Sequence, residues 1–405
     1  MKILHVLQSS FPRLYGYCVR GDSILRAQQA HGLEVVAMTG GVEDLGQGDE
    51  ELINGVRYYR TPCIYNRSRR GLREWRLHRQ LVKRLTEVAE RERPDVIHVH
   101  SPAYNGLAAL KVARRRKIPC VYEMRAVWED AAADRNEIGA TSLLYRMAHS
   151  LETYVFRHAD AVVTICEGLR AEVLSRGIPA EKVLVVPNGV DVEYFQPRLR
   201  DTQVAATLGL TGEGPVFGFI GTMFAFEGVE ELVAAIPQVV ARFPKVQFLI
   251  VGGGQRERQV KESVGSLNCG NSINLVSRVP HDQVRALYTV VDCMVYPRRS
   301  IRLTELVTPL KPLEAMAMQK TVLASNIGGH REMVEHDHTG MLFQAGDAGA
   351  LVGSLCRAAA EPALLVKLAQ AGRQYVVEHR NWKSVTANYL PMYDSVVASK
   401  RAAGH

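Results

Sequence analysis

Short apolar runs alternate with helical patterns along this chain, and the alternation starts a second time near its middle. The runs predicted as strands in the first half are 2–8, 34–39, 56–61, 95–100, 120–124, 161–165 and 183–189. Those in the second half are 215–221, 246–254, 272–279, 293–297, 321–326 and 340–344. Apolar runs bounded by Gly, Pro or a charge are typical of parallel sheets buried on both faces. The sequence therefore predicts an α/β chain with two doubly wound sheets.

The length of 405 residues is too great for one ordinary compact core and indicates two domains of similar size. Turn residues and prolines interrupt the alternation at 186–200, so we assign 1–190 and 191–380 to the two domains. Ligands of open α/β sheets bind beyond the carboxyl ends of the strands. Two such domains that face each other across a cleft are therefore expected to hold an interdomain site.

The composition is that of an ordinary globular protein, with 47% apolar and 23% charged residues. The seven cysteines are scattered singly without a CxxC spacing, which argues against a disulfide framework and against a zinc site. The apolar part of the N-terminus is too short for a signal peptide, and no run approaches the roughly 20 apolar residues of a membrane span. These features predict a cytoplasmic protein.

The net charge of +8 is concentrated in two basic segments, 67–84 and 114–117. Leu72, Trp75 and Val82 fall at helical spacing, so the first segment is predicted to be a helix with one apolar face. Three readings stay open: a solvated face, a peripheral contact with an anionic membrane at its inner face, and a nucleic-acid surface. Nothing in the sequence resembles an RNA-binding motif with interspersed aromatic residues or a DNA-recognition helix, so no nucleic-acid partner is expected.

Two patterns that suggest cofactors are weak. The glycines of 251–258 lack the GxGxxG spacing and the acid of a dinucleotide site, which argues against an oxidoreductase. His98 and His100 share one face of a strand end, and 335–338 holds a second His pair, but neither has a neighbouring acidic or Cys cluster to complete a metal shell. There is also no Asp-x-Asp at a strand end to hold a divalent ion. No metal is therefore expected.

Charged residues lie at the end of the predicted strand 120–124 and directly after it. Glu123, Arg125, Glu129 and Asp130 lie beside Trp128. Charges placed directly after a buried strand must be paired or face a cleft, which is more than a solvated face requires. We interpret this stretch as functional.

The stretch 296–320 combines cations, carboxylates and prolines. Pro312 suits the first turn of a helix, and Glu314 would then lie near the positive end of that helix. A carboxylate there can accept two hydroxyl groups at once, as a ribose diol presents them. Lys311, with Arg298, Arg299 or Arg302, is a candidate to bind a diphosphate. The glycine loop 219–228 is a weaker phosphate-binding candidate.

Three segments carry a family resemblance: 312–343, 185–197 and 381–397. They resemble, in order, the glutamate-containing donor motif, the interdomain stretch and the C-terminal helix of retaining family-4 glycosyltransferases of the GT-B fold. The resemblance implies two Rossmann-like domains facing across a cleft. It also implies that 381–405 is a helix that crosses back onto the N-terminal domain.

The chain departs from the common family pattern at four positions. Leu306 stands where a first glutamate is usual, with Glu305 one step away, and Arg125 replaces a usual histidine. Thr222 and Glu227 replace a usual Arg and Lys in the loop after the first strand of the second domain. Four segments, 122–132, 221–228, 277–281 and 302–317, together resemble a subgroup from bacterial exopolysaccharide clusters associated with exosortase systems. In that subgroup, Arg278 and Lys311 are expected to carry the charge for the diphosphate.

The resemblance implies retaining transfer of a hexose from a nucleotide diphosphate, with UDP as the expected nucleotide and no cofactor beyond this substrate. The acceptor would be a polysaccharide or a lipid-linked glycan. A β-phosphate oxygen would take the acceptor proton, so no protein base is required. The residues expected to bind the donor are Gly16, Thr222, Arg278, Thr308, Lys311, Leu313 and Glu314. The residues expected to act at the reacting sugar or the acceptor are Arg125, Glu129 and Glu305.

Two rival functions stay open at this point. A nucleotide-sugar 2-epimerase of the same fold would need acid and base carboxylates flanking the sugar. A non-catalytic subunit that binds nucleotide sugars or a membrane would account for the altered motifs and the basic helix.

Overall fold

The computed structural model describes residues 1–13, 16–41, 48–62, 72–130, 139 and 142–403, except for the side chains of 72–74 and 281. The chain folds into two compact units. The first comprises Met1–Asn188 together with Trp382–His405, and the second comprises Gly189–Asn381. The first five residues of the basic segment 67–84 lie outside the described part of the chain.

The first unit is built on an eight-stranded sheet with the order β3-β4-β2-β1-β5-β6-β7-β8. Its strands are β1 Lys2–Leu7, β2 Glu34–Thr39, β3 Glu50–Ile53, β4 Val56–Tyr59, β5 Val96–His100, β6 Cys120–Met124, β7 Ala161–Thr164 and β8 Val183–Val185. All neighbours are parallel except β3 and β4. Its longer helices are α1 Gly16–Ala30, α2 Leu72–Glu92, α3 Ala103–Arg116, α4 Leu143–His158, α5 Glu167–Ser175, and, from the C-terminus, α15 Trp382–Ala387 and α16 Tyr389–Ala402.

The second unit is built on a six-stranded parallel sheet with the order β11-β10-β9-β12-β13-β14. Its strands are β9 Val216–Ile220, β10 Gln247–Val251, β11 Ile273–Val276, β12 Cys293–Tyr296, β13 Thr321–Ser325 and β14 Met341–Phe343. Its helices are α6 Thr202–Thr207, α7 Val229–Arg242, α8 Glu257–Ser266, α9 Val284–Thr289, α10 Arg302–Leu306, α11 Lys311–Ala317, α12 Gly328–Arg331, α13 Ala348–Ala360 and α14 Pro362–His379. The central strands are fully buried, so helices cover both faces of this sheet.

The thirteen predicted strands are all present, most of them shorter than predicted. The predicted strands 183–189, 246–254 and 272–279 exceed the observed strands furthest, by four residues each. Strand β3 was missed, because its residues do not form an apolar run and it pairs antiparallel at the sheet edge. The prediction of two Rossmann-like α/β domains is confirmed.

A buried carboxylate ties the C-terminal helix α16 to the first sheet. Glu123 on β6 accepts hydrogen bonds from Arg20 at 3.1 Å, from Arg125 at 2.9 Å and from Tyr389 on α16. Burial alone would raise the pKa of Glu123, but Arg20, His100 and Arg125 hold it well below its ordinary value. The charged Glu123 therefore links β6, α1 and the C-terminal helix within one unit.

Among the described residues, no single helix is long and apolar enough to cross a membrane. Helices α13 and α14 reach the required length and composition only when taken together, and they meet at an angle of 99°.

Three buried glutamates share one arginine in the first unit. Arg176 lies 2.8 Å from Glu129, 2.9 Å from Glu172 and 3.7 Å from Glu152. Tyr122 donates to Glu152 at 2.8 Å. Burial, followed by the charge of Glu129, raises the pKa of Glu152 to about 8. One of these carboxyl groups is therefore neutral at pH 7, since a single guanidinium cannot balance three buried anions.

Replacing Glu152 by Gln should make the chain more stable above pH 8. The pKa of Glu152 is higher in the folded chain than in the unfolded chain, so its stabilising effect is complete below the ordinary carboxyl pKa and disappears as pH rises to about 8. In that window the free energy of unfolding falls by at most about 1.4 kcal/mol per pH unit. Melting temperatures between pH 5 and 9 measure the difference, with the exposed Glu87→Gln as control. An unchanged pH profile in Glu152→Gln would contradict the assignment.

Candidate active site

The carboxyl ends of β9, β10 and β11 bring three predicted donor-binding residues together. A Cβ on Gly252 would lie 1.9 Å from the carbonyl oxygen of Gly221, so the loops after β9 and β10 touch through their backbones. A Cβ on Gly221 would in turn lie 2.8 Å from Lys311 Nζ. In the same turn, Gly254 packs against Thr222 and Gly253 against the Cβ of Arg278. The site therefore forms at the carboxyl edge of the second sheet, where ligands of open α/β sheets bind.

Glu227 is the centre of this edge. Its carboxylate lies 2.9 Å from Lys311 Nζ and accepts a hydrogen bond from Arg298 Nη2 at 2.7 Å. The turn that places it there needs glycine at 228, because Gly228 has φ of +69° and a Cβ would lie 1.9 Å from the carbonyl oxygen of Pro297. Glu227 thus joins the loop after β9 to the loop after β12 and to the start of α11.

The ion pairs set the protonation states of this cluster. Burial by itself would raise the pKa of Glu227, but Arg298 and Lys311 lower it to about 2. Burial lowers the pKa of Lys311, and the neighbouring Glu227 opposes that shift. With one anion and two cations, the cluster carries one net positive charge. That charge, which is partly exposed through Lys311, is suited to an anionic ligand.

Glu314 lies in the first turn of α11, as predicted. Its side chain is partly buried, and Tyr288 is its neighbour at 3.5 Å. Burial raises the pKa of Glu314 to about 7, while the charge of Lys311 acts in the opposite direction. The carboxyl group is therefore close to half ionised at neutral pH, and a ligand that hydrogen-bonds to the charged form would complete its ionisation.

The other predicted donor-binding residues differ in how their side chains are placed. Arg278 and Thr222 are exposed, and within the described part of the chain no carboxylate pairs with Arg278. Thr308 is buried. Leu313 is fully buried in the core, and its N–H group donates to the carbonyl of Leu310 at 3.0 Å. Arg278 is therefore available to an anion, whereas Leu313 positions α11 through packing.

The carboxylate of Glu305 is occupied by contacts within the protein. It accepts hydrogen bonds from Ser300 at 2.6 Å and from the N–H group of Gly328 at 2.7 Å, and Arg331 lies 3.3 Å away. These contacts fasten α10 to the short helix α12, which begins at Gly328. A contact between Glu305 and a sugar hydroxyl stays a prediction, as does the effect of Leu306 at the usual glutamate position.

His330 is a residue that the sequence reasoning missed. It is fully buried, and its Nδ1 pairs with the carbonyl oxygen of Ser325 at 2.8 Å. Burial and the charge of Arg298 lower the pKa of His330 to about 3, so the ring is neutral. An Nδ1–H donor to a carbonyl leaves Nε2 as an acceptor, which has no hydrogen-bond partner among the described residues. The Gly-Gly-His sequence of 328–330 is visible in the chain, but no known motif spacing singles out its histidine as functional.

The predicted residues of the first unit are held in buried ion pairs. Arg125 binds Glu123 and lies 2.7 Å from His100, and Glu129 binds Arg176. Gly16 begins α1. The predicted roles of these residues toward donor and acceptor stay predictions.

Three buried histidines of the first unit come together, although the sequence pointed to only two of them. Ring nitrogens of His5, His98 and His100 lie within 4.8 Å of one another. His5 and His100 share a hydrogen bond at 2.9 Å, and the Arg125 guanidinium lies 2.7 Å from the other nitrogen of His100. Burial lowers the pKa of His5 and of His100. Because a guanidinium occupies this cluster, the donor set does not fit a divalent cation, and the histidines are neutral hydrogen-bonding groups of the core.

Comparisons with known proteins agree with this geometry. The model of the family "Glycosyl transferase 4-like domain" matches residues 17–189, and that of "Glycosyl transferases group 1" matches residues 202–375. Together the two matches span most of the chain. The chain belongs to the GT-B glycosyltransferases.

One relative and two solved structures illustrate the breadth of the similarity. The alpha-maltose-1-phosphate synthase of Mycolicibacterium smegmatis is 28% identical over 333 residues, which are 78% of this chain and 82% of that protein. Sucrose-phosphate synthase from Thermosynechococcus elongatus has a TM-score of 0.79 at 20% identity, covering 98% of this chain and 99% of the other. Anabaena Alr3699/HepE in complex with UDP-glucose has a TM-score of 0.74 at 17% identity, covering 98% and 100%. These two structures share the fold.

Replacing Glu227 by Gln should lower the melting temperature, because Lys311 and Arg298 would remain close together without the anion between them. Removing one partner of a buried ion pair costs about 3–5 kcal/mol. The double variant Glu227→Gln with Lys311→Met should lose less stability than the sum of the two single variants, since the two side chains are coupled. Thermal melting of the four proteins measures this coupling.

Glu231→Gln is the matched control for this cycle. Glu231 binds Arg299 at 2.7 Å in the neighbouring turn, but both side chains are substantially exposed, and such a pair contributes only about 0–1 kcal/mol. Equal losses in Glu227→Gln and Glu231→Gln, or strict additivity in the double variant, would show that Glu227 does not organise the edge.

Proposed function

We propose that this glycosyltransferase moves a hexose from UDP to a polysaccharide or lipid-linked acceptor, with retention at the anomeric carbon and without a metal ion. The observation that carries the proposal is the positive edge formed by Lys311, Arg298 and the exposed Arg278, beside a carboxyl group at Glu314. A nucleoside diphosphate has the complementary groups, namely two phosphates and a ribose diol.

The proposed mechanism follows from the position at which negative charge develops during sugar transfer. As the bond between the sugar and the β-phosphate breaks, negative charge accumulates on the leaving diphosphate, and preorganised cations lower the barrier by stabilising it. Lys311 is held by Glu227, so it needs no large rearrangement to receive that charge. Glu314 anchors the ribose and thereby fixes the diphosphate against Lys311 and Arg278. The acceptor proton passes to a phosphate oxygen of the leaving group.

Several findings support the choice of substrate class. The chain is a glycosyltransferase, and a structural neighbour was solved in complex with UDP-glucose. The family matches do not favour the 2-epimerase, and they disfavour a non-catalytic subunit. A role in bacterial exopolysaccharide synthesis rests on the resemblance of 122–132, 221–228, 277–281 and 302–317 to the exosortase-associated subgroup. Peripheral membrane contact through 67–84 and 114–117 rests on their charge.

A donor screen tests the proposed reaction. The full chain is incubated with UDP- and GDP-sugars, with and without a glycan acceptor, and nucleotide release and melting temperature are measured. A ligand that binds only the folded chain raises the melting temperature by mass action. We expect stabilisation and slow turnover with a UDP-sugar, unchanged by EDTA. Stabilisation by GDP alone, or loss of turnover in EDTA, would refute the corresponding part of the proposal.

Glu314→Gln should weaken UDP binding roughly tenfold or more, since a hydrogen bond to a charged group contributes about 1.5–3 kcal/mol. The carboxylate binds the ribose hydroxyls, and the pKa of Glu314 is raised to about 7. UDP affinity of the unmodified chain should therefore increase from pH 6 to pH 8, beyond the increase shown by the variant. Isothermal titration calorimetry at both pH values measures this difference, and the ionisation of UDP itself is common to both proteins.

The same variant has an opposite expected effect on the free protein. Because burial raises the pKa of Glu314, its ionisation destabilises the fold as pH rises through about 7, and Glu314→Gln should melt at a higher temperature at pH 8. Glu262→Gln, on the exposed face of α8, is the control for both measurements. Unchanged UDP affinity in Glu314→Gln would refute the role of this residue.

A further inference from the structure

Helix α4 of the first unit presents an apolar stripe to solvent. Its exposed side chains include Leu143 at 71%, Leu144 at 49%, Met147 at 50%, Leu151 at 43% and Tyr154 at 42%. These positions are i, i+1, i+4, i+8 and i+11, which places them on one face of the helix over its whole length. Single exposed apolar residues are ordinary, but a contiguous stripe marks a surface that binds another apolar phase.

The opposite face of α4 is fixed to the unit. Glu152, Val155 and Phe156 are buried. A Cβ on Gly106 of α3 would lie 2.6 Å from Val155, so the two helices are in close contact. The stripe is therefore displayed by a packed helix and cannot turn inward without breaking these contacts.

Cations border the stripe on two sides. Arg146 and Arg157 are exposed along one edge of α4. Arg114, at the end of α3, reaches the hydroxyl group of Tyr154 at 3.5 Å, and Arg115 is exposed beside it. In the described part of the chain, none of these four arginines has a carboxylate within 4.0 Å. The border is thus positive and unneutralised.

We propose that this face of α4 docks on an anionic lipid membrane. The apolar side chains of the stripe enter the boundary between headgroups and acyl chains, and the bordering arginines bind the lipid phosphates. An amphipathic helix with a basic polar face binds membrane interfaces in this way, lying in the plane of the surface. The inference rests on the peripheral membrane contact proposed above for the basic segment 114–117 and gives that segment a defined apolar neighbour. It does not depend on the transfer reaction.

Charge decides between a membrane and a second copy of this chain. A symmetric contact between two copies would place the same surface on both sides, so Arg114, Arg146 and Arg157 of both copies would converge. Among the described residues, no carboxylate lies within 4.0 Å of these arginines to offset that repulsion, whereas an anionic bilayer supplies the opposite charge over the whole area.

Vesicle sedimentation with the full chain tests the proposal. Vesicles of phosphatidylcholine with roughly one third phosphatidylglycerol should bind the protein, and added salt should weaken binding because it screens the arginines. The double variant Met147→Gln with Leu151→Gln should bind roughly tenfold or more weakly, since two apolar side chains no longer leave water. Arg146→Gln with Arg157→Gln should lose roughly fivefold for each cation.

Leu199→Gln is the matched control, because Leu199 is 94% exposed in the other unit. It should bind vesicles like the unmodified chain, and melting curves should show that all variants are folded. The proposal is overturned if the unmodified chain does not bind phosphatidylglycerol vesicles, or if the α4 variants bind as well as Leu199→Gln. It is also overturned if the α4 variants change the oligomeric state by light scattering, which would assign the stripe to a second copy. Vesicle binding is measured without a donor, so failure of the transfer assay leaves this result unaffected.

Discussion

The buried carboxylate of Glu227 determines how the carboxyl edge of the second sheet is assembled. It binds Arg298 from the loop after β12 and Lys311 at the start of α11. Two cations in such close proximity would repel each other strongly without an anion between them. Because one net positive charge remains, Glu227 fixes both cations without neutralising the edge. The helix that carries Glu314 is therefore held against the end of β9, and its carboxyl group lies close enough to Lys311 to interact with that charge.

This arrangement explains an apparent loss in the sequence. Compared with the family pattern, Glu227 stands where a lysine is usual, which by itself suggests a damaged phosphate site. In the structure a cation, Lys311, lies on the other side of the same contact, so this edge has a positive charge although the loop position itself is acidic. A single sequence could show both residues but not their distance of 2.9 Å. This contact could not be predicted from the sequence, because 84 positions separate the two residues.

The fold could be predicted from the sequence more completely than the site, for a physical reason. A strand covered on both faces must be apolar throughout, so β9, β10 and β12 are visible as runs in the sequence. Strand β3 lies at an edge and carries polar residues, and it was missed. Glu314 was placed correctly in a first turn because Pro312 marks a helix start. His330 depends on burial and on one carbonyl partner, which leave no periodic trace.

The exposed apolar stripe on α4 is another feature that could not be predicted from the sequence. Its sequence holds apolar residues on more than one face of the helix, so the pattern alone does not tell which of them leave water. The structure buries Val155 and Phe156 but leaves Leu143, Met147 and Leu151 in water. Placing apolar side chains in water opposes solubility unless another apolar surface covers them. Since no carboxylate among the described residues neutralises the arginines beside the stripe, a covering surface that is both apolar and negative matches this face, as we propose for a lipid bilayer with anionic headgroups.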